Sequence, residues 1–369
     1  MKKSLSNSIK SNKFKLILLF LLFLIIVNVT AIIYSIGSLA KKMQERNIES
    51  IDNGEISVMT QEDPQIQNKI INILVLSLDA RFEEYEENED GVRADSNFIV
   101  TIDLIHNKIK LSSFMRDMYV RIDGTYNGNG YDKLTHAFAF GSYSGFERTG
   151  TSSGAYRGGA LRSIKTVNEN FGLNITDYVV FNFYSFKDII DGMGGIDIEL
   201  TQDEIDILSG SGYDIYVSPE EQEKIPLKNA VPGIVRLNGY QALNYSRIRY
   251  IGDDIERTQR QRNVMQAMYS KFRRLNLFQL PSTLTSLLDR VDTSLDNGEI
   301  MKIAKAIFTK NLPLESANFP VEYEFSNING VDYVTFDEYE TQKEIHDYIF
   351  RDIYPVSYYD IDTFDLEEY

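Results

Sequence analysis

The chain of 369 residues contains no cysteine, no tryptophan and only three histidines. The absence of cysteine excludes disulfides, thiol nucleophiles and cysteine-ligated zinc or iron–sulfur sites. His106, His136 and His346 leave little room for a metal site built from several imidazoles. Basic side chains are also scarce, with 38 against 54 acidic ones and a net charge of −16. Because neutralising phosphates requires surplus Lys and Arg, the sequence predicts no nucleic-acid partner. Since 43% of the residues are hydrophobic, a globally disordered chain is excluded.

A long uncharged stretch near the N-terminus predicts a membrane anchor. Residues 16–36 carry no charge and would form a helix of about 31 Å, which spans the hydrocarbon core of a bilayer. A cleaved signal peptide is the alternative, but its apolar region is usually only about 7–15 residues long. Lysines are more numerous before the stretch than after it, which predicts a cytoplasmic N-terminus and an extracytoplasmic remainder. We expect a cytoplasmic tail at 1–15, one transmembrane helix at 16–37 and a stalk at 38–68.

Apolar runs alternate with amphipathic segments from residue 69 onwards, which predicts an α/β fold. The continuous apolar run Ile71–Leu78 is typical of a strand buried on both faces. Two more strands are expected at 98–104 and 109–115, joined by a turn. Further strands are expected at 178–183 and 196–200, and helices at 161–171, 185–191, 237–245, 255–275, 280–288 and 299–308. This interleaving indicates one α/β or α+β domain over residues 69–353, with helices on both faces of a mixed sheet, and an acidic tail at 354–369.

Three polar stretches are expected to be loops. Residues 141–159 are rich in Gly, Ser and Thr, and residues 202–236 are polar and contain three prolines. Residues 83–90 contain six carboxylates but lack the alternating acids and central glycine of a calcium loop. We interpret the last stretch as a solvated acidic loop.

Five arginines lie within 16 residues of this acidic chain: Arg247, Arg249, Arg257, Arg260 and Arg262. In an extended segment Arg247 and Arg249 would point to one side. On a helix Arg257, Arg260 and Gln261 would share a face. Ordinary surface charge is the alternative, and it would suffice for Arg260 or Arg262 alone. As a group, guanidinium side chains match the paired oxygens of a pyrophosphate.

A second group of charged residues lies where predicted strands begin or end. Asp79 ends the first strand, Arg93 and Asp95 open the second, and Arg116 follows the third. Two carboxylates with oxygen-only surroundings suit Mg²⁺, or Mn²⁺, better than zinc. Taken singly, each aspartate could instead cap a loop and each arginine could be an ordinary surface charge. Together the two groups provide acids for a hard cation and arginines for phosphate oxygens, as phosphoryl transfer requires.

These residues, in this order and behind one predicted span, resemble the LytR-CpsA-Psr family of bacterial cell-wall proteins. The resemblance covers about residues 70–270 and continues more weakly to about 350. The matching segments are NILVLSLDAR, RADSNFIVTID, KIKLSSFMRDMYVRI, DKLTHAFAFGS, SIKTVNENFGLNITDYVVFNFYSFKDIIDGMGGIDIEL, LNGYQALNYSRIR and DDIERTQRQRNVMQAM. The resemblance implies an α/β/α sandwich with a central mixed sheet and an apolar pocket for a polyprenyl tail. It also implies Mg²⁺-dependent transfer of a glycopolymer, of the teichoic acid or capsular polysaccharide type, from a polyprenyl pyrophosphate carrier to a peptidoglycan acceptor at the membrane.

The resemblance also assigns roles to individual residues. Asp79 and Asp95 would hold the metal, and Asp254 would orient the arginines. The residues implied to bind the pyrophosphate are Arg93, Arg116, Lys133, Arg247, Arg249, Arg257 and Gln261. Two departures are Met115, where the family usually has proline, and Ala94, where it usually has serine. Neither removes a charged site residue.

Several alternatives remain open at this stage. The chain could hydrolyse polyprenyl pyrophosphates as a phosphatase, or bind the lipid carrier without turnover. Asp79 or Asp95 could act as the base if the metal does not occupy it fully. We expect His136 to be structural, and Phe181, Phe183, Phe186 and Met193 to line a lipid cavity, with plain core packing as the alternative.

Overall fold

The computed structural model describes residues 69–78, 92–123, 130–149, 152–209, 227, 229–248, 251, 254–274, 291–310 and 312–355. All of them belong to one compact unit, which comprises Glu49–Leu275 and Ser286–Tyr369. The predicted span, the predicted helix at 280–288, the acidic stretch at 83–90 and most of the C-terminal tail lie outside these residues. Within them, no helix is both long and apolar enough to cross a membrane.

Twelve strands and eight helices form the described part of the chain. The strands are β1 (Ile70–Leu78), β2 (Ala94–Asp103), β3 (Lys108–Phe114), β4 (Tyr119–Arg121), β5 (Tyr131–Lys133), β6 (Asp177–Asn182), β7 (Ile196–Leu200), β8 (Gly233–Leu237), β9 (Asp292–Thr293), β10 (Leu314–Phe319), β11 (Glu324–Ile328) and β12 (Val331–Thr335). The helices are α1 (Leu134–Thr149), α2 (Ser152–Phe171), α3 (Phe183–Gly192), α4 (Gln202–Leu208), α5 (Gly239–Arg247), α6 (Asp254–Arg273), α7 (Asn297–Lys310) and α8 (Glu338–Arg351).

The central sheet is six-stranded and mixed, in the order β10-β3-β2-β1-β6-β9. β1 pairs antiparallel with β2 and parallel with β6, while β3 pairs antiparallel with β2 and parallel with β10. Three two-stranded ribbons, β4-β5, β7-β8 and β11-β12, lie outside it. This arrangement confirms the predicted mixed sheet.

The apolar run of β1 explains why the sheet has helices on both faces. Leu74, Leu76 and Leu78 belong to one buried cluster, which α1, α2 and α8 also supply. Ile73 and Val75 belong to a second cluster with α3, α4, α5 and α6. Because side chains alternate along a strand, a run with apolar side chains on both faces requires cover on both sides. The three layers match the predicted α/β/α sandwich.

The prediction of a loop at residues 141–159 is wrong. The segment forms most of α1 and the start of α2, and its glycines lie where the two helices touch. A Cβ on Gly141 would collide with the carbonyl oxygen of Gly158, and one on Gly159 would lie 2.6 Å from the Phe138 ring. Glycine lowers intrinsic helix propensity, but here it permits close packing of two helices, which propensity alone does not reveal.

The predicted loop at 202–236 is also partly wrong. α4 begins with a capping box, in which the Thr201 hydroxyl accepts the Glu204 N–H and the Glu204 carboxylate accepts the Thr201 N–H. At the other end, β8 pairs with β7 from Ile196–Leu237 to Leu200–Gly233. The capping box and the ribbon give regular structure to both ends of a segment whose polar composition suggested none.

Candidate active site at one edge of the sheet

The register of the central sheet places the strand-end residues at one edge. Leu78, the last residue of β1, pairs with Ala94, the first residue of β2. Phe114, the last residue of β3, pairs with Asn97 of β2 and with Phe319, the last residue of β10. Asp95 and Arg116 therefore share this edge. Asp79 follows Leu78 directly in the sequence but lies outside the described residues.

Asp95 and Arg116 form an ion pair at this edge. Nη1 of Arg116 lies 2.9 Å from Oδ1 of Asp95, and both side chains are partly buried, with 23% and 17% exposure. Thr135 fixes the two segments together, because its hydroxyl donates to the Ala94 carbonyl at 2.8 Å and its N–H donates to the Arg116 carbonyl at 3.0 Å. Two predicted site residues that are 21 positions apart in sequence are thus in direct contact.

Asp117 follows Arg116 at the end of the third predicted strand, but the sequence analysis gave it no role in the site. Its Oδ1 lies 2.9 Å from Nζ of Lys133 and its Oδ2 lies 3.5 Å from Nε of Arg116. The Lys133 ammonium also lies 5.7 Å from the centre of the Tyr333 ring. Asp117 therefore joins two predicted phosphate ligands. Its position directly after Arg116 was the available signal, but the pairing with Lys133 depends on the β4-β5 ribbon. Arg93 is exposed just before β2.

His136, in the first turn of α1, has a carboxylate partner in the preceding strand β5. Its Nδ1 lies 2.9 Å from Oδ1 of Asp132, which also accepts the Lys133 N–H at 2.7 Å. Burial raises the pKa of Asp132, but the bonds from His136 and the Lys133 N–H outweigh burial and leave the pKa below its usual range. These contacts fit the structural role expected for His136.

The arginines of α6 are more deeply buried than a surface cluster would be. Arg257, Arg260 and Arg262 have exposures of 3%, 5% and 7%. Arg260 donates to the carbonyl oxygens of Ile248 at 3.0 Å and Ile251 at 2.9 Å. It therefore fixes the connection between α5 and α6, next to Arg247 at the end of α5.

Two details, at Arg247 and at Arg262, differ from the sequence-based expectations. Arg247 ends a helix instead of lying in an extended segment, and Ile248 after it leaves the helical conformation, with φ −56° and ψ 124°. Arg249 lies outside the described residues, as does the side chain of Asp254, the first residue of α6. Arg262 bonds to Gln259 of its own helix, and burial lowers its pKa to about 10. Gln261 is partly buried on the same helix.

Two hydrogen bonds fix the direction of α6 along the sheet. Tyr269 donates to the carbonyl oxygen of Leu312 at 2.7 Å, and Gln266 donates to the hydroxyl of Ser316 at 2.9 Å. The earlier residue of α6 contacts the later residue near β10, so the helix and the strand run in opposite directions. Arg257 lies about 13 Å from Gln266 along the helix axis, and Phe319 lies about 10 Å from Ser316 along the strand. The N-terminal turns of α6 are therefore directed towards the end of the sheet at which Asp95 and Arg116 pair.

A second acidic group lies at the opposite end of β2 and β3. Carboxylates of Asp103 and Asp352 and the ring of His106 are close enough to share a metal ion. However, the fully buried ammonium of Lys110 lies 2.8 Å from Asp103 and 3.1 Å from Asp352. It also donates to the carbonyl oxygens of Tyr348 and Ile349 near the end of α8. Lys110 supplies the positive charge that these acids require, so the group is structural.

Comparison with known proteins gives a consistent family. The model of the LytR_cpsA_psr family matches residues 31–347. The polyisoprenyl-teichoic acid–peptidoglycan teichoic acid transferase TagT of Bacillus subtilis (strain 168) is 29% identical over 272 residues, 73% of this chain and 72% of the relative. The enzyme of the same description from Bacillus cereus, TagU, is 28% identical over 289 residues, 76% of this chain and 79% of the relative.

Solved structures show the same fold. The structure of TagT bound to LIIa-WTA has a TM-score of 0.60 at 23% identity and covers 82% of this chain and 99% of its own. A TagT structure with bound octaprenyl pyrophosphate lipid has a TM-score of 0.56 at 22% identity, with the same coverage. With most of its length matched by the family model and its fold shared with these structures, the chain belongs to the LytR_cpsA_psr family.

Proposed function

We propose that this chain is a membrane-anchored phosphotransferase that moves a glycopolymer from a polyprenyl pyrophosphate carrier to a sugar hydroxyl of peptidoglycan. One observation carries the proposal: Asp95 and Arg116 pair at the end of the sheet towards which the N-terminal turns of α6, which bear Arg257, are directed. The names of TagT and TagU support the donor and acceptor classes, and the octaprenyl pyrophosphate in TagT supports the carrier.

The residues at this edge would act by binding charge. Arg116, Lys133, Arg247 and Arg257 would hold phosphate oxygens, with Arg93, Arg249 and Gln261 as further predicted ligands. The acceptor hydroxyl would attack the phosphorus bonded to the glycan. Its bond to the bridging oxygen would break, the acceptor proton would pass to a base, and polyprenyl phosphate would leave. Negative charge grows on the leaving phosphate, so fixed guanidinium groups stabilise the transition state more than the ground state.

Asp95 and Asp79 would hold the Mg²⁺, for which Mn²⁺ could substitute. The Asp95 carboxylate suits a hard cation because it offers oxygen ligands and is partly exposed. Arg116 is its only ion-pair partner in the described part of the chain. When bound, the ion would neutralise charge on the phosphate oxygens. Asp117 would hold Arg116 and Lys133 apart at a fixed spacing, and Asp254 would orient the arginines near the start of α6.

The remaining predictions place the site at a membrane. Residues 16–37 would anchor the domain, and the polyprenyl tail would enter an apolar pocket beside the sheet. Phe181, Phe186 and Met193 belong to the buried cluster on the face that α6 covers. The Phe181 and Phe186 rings stack with centroids 5.8 Å apart, an arrangement that suits core packing and a pocket wall equally. The Phe183 side chain lies outside the described part of the structure.

The test is turnover of a labelled lipid-linked glycan by the full chain in detergent, with and without peptidoglycan. We expect label on peptidoglycan and release of polyprenyl phosphate, both dependent on the acceptor. Release of phosphate at the same rate without acceptor would identify a phosphatase. Lipid binding without any product would identify a carrier-binding module. Either result would refute the proposal.

A further inference from the structure

A groove separates α6 from the β7-β8 ribbon. It has a volume of about 460 Å³, within the usual range for small-ligand sites. One wall carries Asp197, Glu199 and Ile234 of the ribbon, and the other carries Asn263, Gln266 and Ser270 of α6. The α6 residues lie three or four positions apart, so they share one face of the helix. Neither the arginines proposed to bind the pyrophosphate nor the acids at the strand ends line this groove.

The lining has the composition of a carbohydrate site. Amide and hydroxyl groups both donate and accept hydrogen bonds, and carboxylates accept them, so together they can pair with the hydroxyl groups of a sugar. Ile234 at the rim is 81% exposed and adds an apolar surface for the C–H face of a sugar ring. A polyprenyl chain does not fit these walls, because its burial would leave the polar groups unpaired.

Charge on the two walls is nearly balanced, and it is fixed in place. Arg236 donates to both oxygens of Asp197, at 2.8 and 2.9 Å. These bonds lower the pKa of Asp197 most, and the charges of Lys271 and Arg274 from the α6 side lower it further. The groove therefore has no strong preference for a polyanion or a polycation. A neutral or weakly charged saccharide suits it better than a polyanionic chain.

The position of the groove relates it to the proposed reaction. At its inner end Asn263 donates to the Tyr245 hydroxyl at 3.0 Å, which links α6 to α5. One turn earlier on the same face, Arg260 binds the carbonyl oxygens of Ile248 and Ile251. The groove thus begins one turn from the contact of Arg260 with Ile248, the residue after Arg247, and runs about 12 Å along α6, from Asn263 to Lys271. A chain-like ligand lying in it would have one end near the arginines.

We infer that this groove binds pyranose sugars of one of the two substrates in the proposed transfer reaction, and that it guides a saccharide chain towards the arginines. The inference rests on the proposed function for its choice of ligand. The sugars would come from the peptidoglycan acceptor or from the donor glycan. Both sources have the same ring chemistry, so kinetics must separate them.

Binding can be measured apart from turnover because the chain lacks tryptophan. Ile234→Trp in the full chain would place a single reporter at the rim of the groove. Thr309→Trp, on an exposed position of α7, is the matched control. The probes are peptidoglycan oligosaccharides for the acceptor and a water-soluble fragment of the donor glycan, each titrated in the absence of lipid. We expect one of them to shift the emission of the Ile234→Trp protein saturably and to leave the control unchanged.

A blocking variant links the groove to the reaction. Ser270 is exposed within the groove, so Ser270→Trp should fill it without disturbing the core. We expect KM for the acceptor to rise at least tenfold, with kcat and KM for the donor unchanged; a rise in KM for the donor alone would assign the groove to donor sugars. Thr309→Trp should leave all constants unchanged.

The two experiments distinguish this inference from the proposed function. If the chain transfers glycan but Ser270→Trp has wild-type constants and the Ile234→Trp emission stays flat with both saccharides, the groove inference is wrong and the function stands. If the chain shows no transfer but the reporter responds to a saccharide, the proposed function is wrong and the groove is a sugar site. A reporter that responds only to stem peptides without sugar would also overturn the inference.

Discussion

Arg116 binds Asp95 at 2.9 Å while its other side faces Asp117 at 3.5 Å. One guanidinium is thus held between two carboxylates at the end of β3, and Lys133 is attached to the second of them. A cation held from two sides has little freedom to reorient when a phosphate binds. Preorganisation of this kind reduces the cost of arranging charge in the transition state.

Asp95→Asn should reduce transfer through weaker metal binding. The amide keeps the shape of the side chain but loses its negative charge, so the proposed Mg²⁺ site loses affinity. We expect the rate to fall at ordinary Mg²⁺ and to recover partly when the metal concentration is raised. Titration of the rate with Mg²⁺ checks this. A variant whose defect is the same at every metal concentration would show that Asp95 serves only to orient Arg116.

Arg257→Ala and Arg260→Ala should have different effects although both arginines are buried on α6. Arg257 is a proposed pyrophosphate ligand, and its loss should lower the rate at least a hundredfold, about 2.7 kcal/mol in the transition state. Extra Mg²⁺ should not restore this activity. The Arg257→Ala chain should still fold, as circular dichroism and a cooperative unfolding curve would show.

Arg260→Ala should instead act on stability. It removes the donor to the carbonyl oxygens of Ile248 and Ile251, of which the first bond is buried and the second partly buried, and a buried carbonyl left unpaired costs about 1–3 kcal/mol. Urea unfolding should show a clear loss of unfolding free energy. If Arg257→Ala unfolds the domain while its folded fraction keeps normal activity, the arginine cluster is structural throughout.

The buried Lys110 network should make stability depend on acid pH. Burial raises the pKa of Asp103, but the hydrogen bonds from Lys110 and His106 outweigh burial and lower this pKa below 3.8. Burial also raises the pKa of Asp352, and the bonds from Lys108 and Lys110 outweigh it there too. A carboxyl group whose pKa is lower in the folded state than in the unfolded state stabilises the fold at any pH above its unfolded-state pKa. This contribution is lost as the pH falls through the folded-state pKa. Lys110→Met should cost about 3–5 kcal/mol near neutral pH. Urea unfolding should show the gap between wild type and variant narrowing below about pH 4, and a gap that is independent of pH would contradict this account.

The glycine contact between α1 and α2 should tolerate no side chain. A Cβ on Gly158 would collide with the carbonyl oxygen of Gly141 and force the helices apart, so Gly158→Ala should destabilise the fold. Gly192, at the end of α3, has open space around its Cα, so Gly192→Ala is the control. We expect the control to be neutral or to gain about 0.4–1 kcal/mol. Thermal unfolding of both variants checks the comparison.

The sequence predicted features that depend on local patterns. The apolar run of β1 and the turn before β3 were found because alternation and turn residues are local signals. Gly141 and Gly158 misled the prediction because their role appears only when two helices pack together. The partnership of Asp117 with Lys133 was missed for a similar reason, since it depends on the pairing of β4 with β5. The sequence placed Asp95 and Arg116 in one group of charges at strand ends, but it did not predict their 2.9 Å ion pair, which depends on the pairing of β2 with β3.

The most direct test of the central claim is the mass of the acceptor after reaction. Incubating the full chain with a defined lipid-linked glycan and a peptidoglycan oligosaccharide, followed by mass spectrometry, shows which bond is broken. The account predicts an acceptor that has gained the glycan together with one phosphate, with polyprenyl phosphate as the other product, and no such product from Arg257→Ala. An acceptor that gains the glycan without phosphate, with polyprenyl pyrophosphate released, would contradict it.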